Sequence, residues 1–83
     1  MGKKEKLIKR LKSKPKDFTF DEAEALLTLL GFTRHNSGKT SGSRIRYRLD
    51  GTPLFLHRPH PGNELKPYQI SDILDILGKA GLI

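Results

Sequence analysis

The sequence predicts a small α+β domain in which helices pack on one face of a three-stranded antiparallel sheet. Apolar residues recur at helical spacing towards both ends of the chain, apolar and polar residues alternate in its middle, and an Asp-Gly pair interrupts the alternation. The predicted element order is α–α–β–β–β–α. With 83 residues the chain has room for one core. We therefore expect a single domain over residues 1–83, with a basic N-terminal helix in residues 1–16 and the remaining fold in residues 17–83.

The first predicted helix is short and basic. Leu7, Ile8 and Leu11 lie at helical spacing among lysines, which gives a narrow apolar stripe and a wide basic face. Pro15 ends this helix, because a proline displaces the preceding residue from helical backbone. The lysines can add contacts to a polyanion or simply form a solvated helix face. Membrane docking is not expected, since the stripe contains no aromatic residue.

The second helix is predicted over residues 20–30. Thr19 and Glu22 have the spacing of a capping box, and Gly31 follows at the place where a left-handed residue commonly ends a helix. Its buried stripe is predicted to comprise Ala23, Leu26, Leu27 and Leu30.

Three strands are predicted after the second helix. The first covers residues 32–37 and is polar enough to be an edge strand. The clearest strand covers residues 43–50, where apolar and basic residues alternate. Asp50-Gly51 is a strong hairpin signal, and the returning strand covers residues 54–58.

A closing helix is predicted from Pro67 onwards, because proline suits the first turn of a helix. Its apolar positions follow the spacing i, i+3, i+4, i+7 at Ile70, Ile73, Leu74 and Leu77. One face of this helix is therefore expected to pack on the sheet.

The net charge of +7 is unevenly distributed along the chain. Residues 1–16 carry +7 and residues 34–66 carry +5, whereas residues 17–33 carry −4 and residues 67–83 carry −1. Two basic blocks on a small domain indicate a polyanionic partner, most often a nucleic acid. The alternative is that the basic charge serves solubility alone.

The composition excludes several classes of function. The chain has no cysteine, so it can form no disulfide, no cysteine-ligated zinc site and no thiol nucleophile. Its apolar stretches are shorter than the about 20 residues that a transmembrane helix needs. Its N-terminus lacks the apolar region of a secretory signal peptide. We therefore expect a soluble cytoplasmic protein that does not bind membranes and uses no small-molecule cofactor.

A row of three arginines is the best local indication of function. On the predicted strand at residues 43–50, the apolar residues face one side, and Arg44, Arg46 and Arg48 face the other. The row spans about 13 Å, a length that suits successive phosphates, and arginine binds phosphate through a planar fork of donors. The alternative is a solvated sheet face whose arginines discourage edge-to-edge aggregation.

His57 and His60 are the candidate catalytic residues. Histidine is the usual general acid–base at neutral pH. If His57 shares the outward face with the arginines, the set has the composition of a metal-independent ribonuclease site, in which an imidazole activates the ribose 2′-hydroxyl. Alternatively, His57 is a surface residue of the sheet and His60 a turn residue. No metal site is predicted, because Glu64 is the only nearby carboxylate.

Two motifs in this chain resemble a known family. The first is Gly42-Ser43-Arg44, continuing along the strand, and the second is His-Pro-Gly-Asn-Glu-Leu-Lys-Pro at residues 60–67. Gly-Phe at residues 31–32 and Ala-Gly-Leu at residues 80–82 match the start and the end of the same pattern. Over roughly residues 20–82 the chain resembles the HicA toxins, the small mRNA interferases of HicA–HicB toxin–antitoxin pairs.

This resemblance implies a fold similar to double-stranded-RNA-binding domains, α-β-β-β-α, here with an extra N-terminal helix. It also implies cleavage of mRNA and neutralisation by a HicB-like antitoxin that covers the active site. The family's catalytic histidine follows Gly-Ser, where this chain has Arg44. Arginine cannot act as a general base because its guanidinium stays protonated. Either His57, His60 or His35 then transfers the proton, or the chain binds RNA without cleaving it.

Three functions follow as hypotheses. The first is a toxin that acts on mRNA as an endoribonuclease. The second is a non-catalytic RNA-binding module, and the third is an interaction domain whose basic face binds an acidic protein. For the first two, the predicted RNA contacts are Lys39, Ser43, Arg44, Arg46, Arg48, Arg58 and Lys66.

Overall fold

The computed structural model describes residues 2–35, 44–59 and 62–83. Its helices and strands follow the predicted order. They are α1 (Lys3–Lys12), α2 (Phe20–Leu30), β1 (Thr33–His35), β2 (Arg44–Leu49), β3 (Thr52–His57) and α3 (Pro67–Lys79). The strands form one antiparallel sheet in the order β1-β2-β3. The predicted α+β fold, α-β-β-β-α behind an additional first helix, is confirmed.

The sheet has one buried and one exposed face. Ile45 and Tyr47 of β2 are buried, while the arginines that alternate with them are exposed. Leu54 and Leu56 of β3 are fully buried on the same side as Ile45 and Tyr47. These side chains join apolar side chains of the helices in one core. The helices therefore cover a single face of the sheet.

The boundaries of α2 are those that its sequence predicts. The backbone N–H of Glu22 donates to Thr19 Oγ1 at 3.1 Å, and the N–H of Thr19 donates to Glu22 Oε1 at 2.9 Å. Gly31 ends the helix with a left-handed φ of 105°. A Cβ at Gly31 would also lie 3.3 Å from Leu49 Cδ1. Leu30 is only partly buried, so the buried stripe of α2 is narrower than predicted.

The strands differ from their predicted bounds by a few residues. The described part of β1 begins after Phe32, because the Phe32 N–H donates to Leu27 O at 2.9 Å and so completes the end of α2. Asn36 and Ser37, the last two residues of the predicted strand, lie outside the described residues. β3 begins two residues earlier than predicted, since Thr52 pairs with Leu49 across the hairpin.

Helix α1 belongs to the core through its narrow apolar stripe. Leu7 is 7% exposed, and Leu11 is fully buried. Arg10 lies beside them: its Nε donates to Glu22 Oε2 at 3.0 Å, and its Nη2 donates to Asp17 Oδ1 at 3.1 Å. The hydrogen bond from Arg10 lowers the pKa of Glu22 below its ordinary value. Arg10 is therefore a structural residue that fastens α1 to the start of α2.

The segment that precedes α3 is held against the start of α2. The Phe20 N–H donates to Asn63 O at 2.8 Å, and the Leu65 N–H donates to Phe18 O at 2.7 Å. Leu65 is buried in the core. This short antiparallel bridge, centred on Thr19 and Glu64, fixes where α3 begins relative to α2.

Gln69 of α3 is buried and binds the backbone of β3. Its Oε1 accepts a hydrogen bond from the His57 N–H at 3.0 Å, and its Nε2 donates to Phe55 O at 3.2 Å. The side-chain amide therefore supplies the hydrogen bonds that a further strand would otherwise make. This arrangement closes the β3 edge of the sheet and fixes the distance between His57 and α3.

No helix in residues 2–35, 44–59 and 62–83 is long and apolar enough to cross a membrane.

Replacing Leu11 tests whether α1 contributes to the core. We expect Leu11→Ala to lower the free energy of unfolding by about 2–5 kcal/mol, the usual cost of a cavity left by a buried leucine. Leu29→Ala is the matched control, because Leu29 is 46% exposed, and it should change the value by less than about 0.5 kcal/mol. Urea unfolding measures both variants. Equal stabilities for Leu11→Ala and the wild type would show that α1 does not share the core.

Replacing Gln69 tests its role at the β3 edge. Gln69→Leu keeps the approximate volume but leaves the His57 N–H and the Phe55 carbonyl without partners, so we expect a loss of about 1–3 kcal/mol in the free energy of unfolding. Ser71→Ala, at an exposed position of the same helix, should stay within about 0.5 kcal/mol of the wild type. Hydrogen exchange at the His57 amide should be faster in Gln69→Leu alone. Unchanged exchange at that amide would contradict this role.

Candidate nucleic-acid interface

The exposed face of the sheet carries the predicted arginine row, Arg44, Arg46 and Arg48. Directly paired residues of antiparallel strands point to the same face. The pairing therefore places further side chains beside the row. We call this surface the outer sheet face; it consists of Thr33, His35, Arg44, Arg46, Arg48, Pro53, Phe55 and His57.

His57 lies directly opposite Arg44 in the β2–β3 pairing. Both side chains are exposed, and directly opposed residues of an antiparallel pair have Cβ atoms about 4.5–5.5 Å apart. The condition set by the sequence analysis, that His57 shares the outward face with the arginines, is met. An imidazole and a guanidinium can therefore reach the same phosphate group.

The Arg44 guanidinium is stacked on an aromatic ring. Its Cζ lies 4.1 Å from the centroid of the Phe55 ring, a distance typical of a cation–π contact. Phe55 is half-buried, and in the β2–β3 pairing it lies directly opposite Arg46. This contact holds the exposed Arg44 side chain over the sheet.

The other two arginines differ in how they are held. Arg48 Nε donates to the backbone oxygen of Asp50 at 3.1 Å, which fixes Arg48 at the hairpin end of the row. Arg46 lies between His35 and Phe55. Within the described part of the chain Arg46 makes no ion pair, so its charge is available to an external anion.

Arg34 belongs to a different surface although it neighbours His35 in sequence. It pairs with Tyr47 and therefore faces the helices. Glu24 Oε2 accepts hydrogen bonds from Arg34 Nη1 at 2.9 Å and from the Tyr47 hydroxyl at 2.6 Å. Burial and the contact with Glu24 raise the pKa of Tyr47 well above its ordinary value. Tyr47 is thus a neutral structural donor, and Arg34 is neutralised by Glu24.

A groove of about 290 Å³ borders the outer sheet face where β3 meets α3. Arg44, Phe55 and His57 line its sheet side, and Tyr68, Asp72 and Ile76 are among the residues on its helix side. We call it the Tyr68 groove, because the Tyr68 side chain is 58% exposed there. Gln69 lies at its floor through the hydrogen bonds to β3.

The remaining predicted site residues lie away from the arginine row or outside the described residues. Arg58 follows β3, and its Cζ lies 5.0 Å from the Phe20 ring centroid, beside the start of α2 rather than on the outer sheet face. Lys66 is exposed at the N-cap of α3. Lys39, Ser43 and His60 lie outside the described residues.

The structure adds two aromatic residues that the sequence analysis did not select. Phe55 lies between the buried residues Leu54 and Leu56 of β3, and alternation along the strand gives it an outward side chain. Tyr68 lies in the first turn of α3 and outside the apolar spacing of that helix. An exposed aromatic residue beside predicted phosphate contacts was the available signal.

No group of three or more potential metal ligands occurs in the described ranges.

Comparison with known proteins identifies the family. A family model described as the HicA toxin of bacterial toxin–antitoxin systems matches residues 20–82, which run from the start of α2 to beyond the end of α3. Helix α1 lies outside the matched residues. No curated protein and no solved structure matches the chain significantly. Because the family model covers most of the chain, the protein belongs to the HicA family of toxins of bacterial toxin–antitoxin systems.

Proposed function

We propose that this toxin acts on RNA through the outer sheet face and cleaves it as an endoribonuclease, with His57 transferring protons. The observation that carries the proposal is the cross-strand pair of His57 and Arg44 within the arginine row. It puts a side chain able to exchange protons beside cations that bind phosphate. Both residues are exposed, so a polymer can reach them.

The spacing of the arginine row suits binding of the RNA backbone. Alternate residues of a strand are about 6.6 Å apart, so the three arginines can contact neighbouring phosphates of one strand. They lie beside Phe55 and His35, and rings of this kind stack on unpaired bases. An RNA single strand fits this combination better than a generic acidic protein surface does.

The proposed reaction needs no metal ion. His57 accepts the proton of a ribose 2′-hydroxyl, and the freed oxygen attacks the adjacent phosphorus, which breaks the bond to the 5′-oxygen of the next nucleotide. The departing 5′-oxygen takes a proton from water, and the proton held by His57 returns to solvent. The products are a 2′,3′-cyclic phosphate and a 5′-hydroxyl end. Arg44 and Arg46 stabilise the negative charge that develops on the phosphate oxygens.

Arg44 occupies the position at which the resemblance places the family's catalytic histidine. A guanidinium stays protonated and so cannot accept the proton itself. In this proposal His57, on the facing strand, carries out the proton transfer, and Arg44 contributes positive charge. The same substitution favours a second candidate function, in which the toxin binds RNA without cleaving it.

The proposed partner is a HicB-like antitoxin, as the family resemblance implies. An antitoxin that covers the outer sheet face would neutralise the arginine row and block access to His57. Because the proposed target is mRNA, we place the protein in the cytoplasm.

The nuclease proposal predicts metal-independent cleavage that depends on His57. Purified wild-type protein should cleave single-stranded RNA in the presence of EDTA and leave 2′,3′-cyclic phosphate ends. His57→Ala should lower the cleavage rate by at least about 100-fold, the lower range for loss of a general acid–base. His35→Ala should lower the rate by less than about tenfold, since His35 lies two strands away. His60→Ala tests the second candidate histidine in the same assay. Intact RNA after prolonged incubation with excess wild-type protein would exclude the nuclease.

Binding without cleavage is tested separately with a 2′-O-methyl RNA, which cannot be cleaved. The logarithm of the affinity should fall linearly with the logarithm of salt concentration, and Arg46→Ala combined with Arg48→Ala should reduce the slope by about 1.4. Lys4→Ala combined with Lys9→Ala removes the same charge from the exposed face of α1 and should leave the slope unchanged. An equal reduction by the α1 pair would show that RNA does not bind the outer sheet face selectively.

A further inference from the structure

The Tyr68 groove combines aromatic surface with a carboxylate next to the arginine row. Tyr68 is one of two large apolar side chains that are strongly exposed in the described residues; the other, Leu29, lies on α2. Phe55 forms the opposite wall, with the Arg44 guanidinium stacked on it. Planar groups therefore lie on two sides of one groove.

The charges around the groove show which part of a nucleotide it suits. Asp72 and Asp75 line the side formed by α3. Asp75 is paired with Lys79 at 3.2 Å, whereas Asp72 makes no ion pair within the described ranges. A phosphate in the groove would be repelled by these carboxylates. An uncharged base would not be, and its amino group can donate to a carboxylate oxygen.

We propose that the Tyr68 groove binds one unpaired nucleobase of the RNA strand whose phosphates lie along the arginine row. The base stacks on Tyr68 and on the Arg44 guanidinium, which also lines the groove, while Asp72 accepts a hydrogen bond from its amino group. This site rests on the proposed function, because it assumes that RNA lies on the outer sheet face. It adds a contact that reads the base, next to contacts that read only the backbone.

The position of the groove also bears on cleavage. His57 lines the groove and pairs directly with Arg44 of the arginine row. A base held by Tyr68 would fix the nucleotide attached to it beside His57. The groove thus selects which phosphodiester lies next to the proton-transferring group, and Tyr68 acts as a positioning residue.

Tyrosine fluorescence offers a direct test, because the chain contains two tyrosines and no tryptophan. Tyr47 is 1% exposed, so the signal that responds to a ligand should come from Tyr68. We expect a 2′-O-methyl oligonucleotide to quench this signal. An oligomer of the same length and charge without bases should bind through the arginine row but should not quench.

Four variants separate the groove from the rest of the surface. Tyr68→Leu should weaken binding of the base-containing oligonucleotide by about 5- to 150-fold, the range for base–aromatic stacking, and Tyr68→Phe by less than about threefold. Leu29→Ala, an exposed apolar change on α2, should leave the affinity unchanged. The urea midpoint of each variant checks the fold. Asp72→Ala, which removes the acceptor oxygen, should weaken binding of cytosine and adenine oligomers more than binding of uracil oligomers.

The possible outcomes lead to different conclusions. Wild-type RNA affinity in Tyr68→Leu would overturn the proposal that the groove binds a base. It would leave the proposal that RNA binds the outer sheet face intact. If Tyr68→Leu lost antitoxin binding but kept its RNA affinity, the groove would be a protein-binding site. That result would also overturn the proposed base site. Failure of the wild type to bind any RNA would remove the proposed function and the groove together.

Discussion

The register between β2 and β3 decides which side chains this toxin presents to solvent. Leu49 pairs with Thr52, so only Asp50 and Gly51 form the turn, and Asp50 adopts a left-handed φ of 54° that aspartate tolerates. Side chains alternate along a strand, so a slip of one residue would move every arginine into the core and Tyr47 out of it. The helices cover the inner face, which makes that slip costly because charges would be buried without partners. Packing of the core therefore determines which side chains lie on the outer sheet face.

The same register brings together the groups proposed to act on RNA. His57 faces Arg44 from the next strand, and the resemblance places the family's catalytic histidine at the position of Arg44. Gln69 binds the backbone of β3 on both sides of Leu56 and so holds His57 next to α3. The groups proposed for proton transfer, charge stabilisation and base stacking therefore lie at adjacent positions of the sheet and the neighbouring groove. A HicB-like antitoxin that covers this surface would block all three at once.

Local patterns in the sequence were sufficient for the elements and for the arginine row. The capping box at Thr19, the left-handed Gly31 and the alternation of β2 each depend on neighbours in the chain, and all three are confirmed. The pairing of His57 with Arg44 could be stated only as a condition, because it depends on where β3 begins. The contact of Gln69 with β3 was missed, since it joins residues 12–14 positions apart through a side-chain amide, which no periodicity encodes.

The central claim is that RNA binds the outer sheet face, and nuclear magnetic resonance tests it most directly. Amide and arginine side-chain signals of the ¹⁵N-labelled protein would be followed during titration with a 2′-O-methyl oligonucleotide. We expect the largest shift changes at Arg44, Arg46 and His57, with small changes at the exposed lysines of α1. Changes concentrated on α1, with the signals of β2 and β3 unaffected, would contradict it.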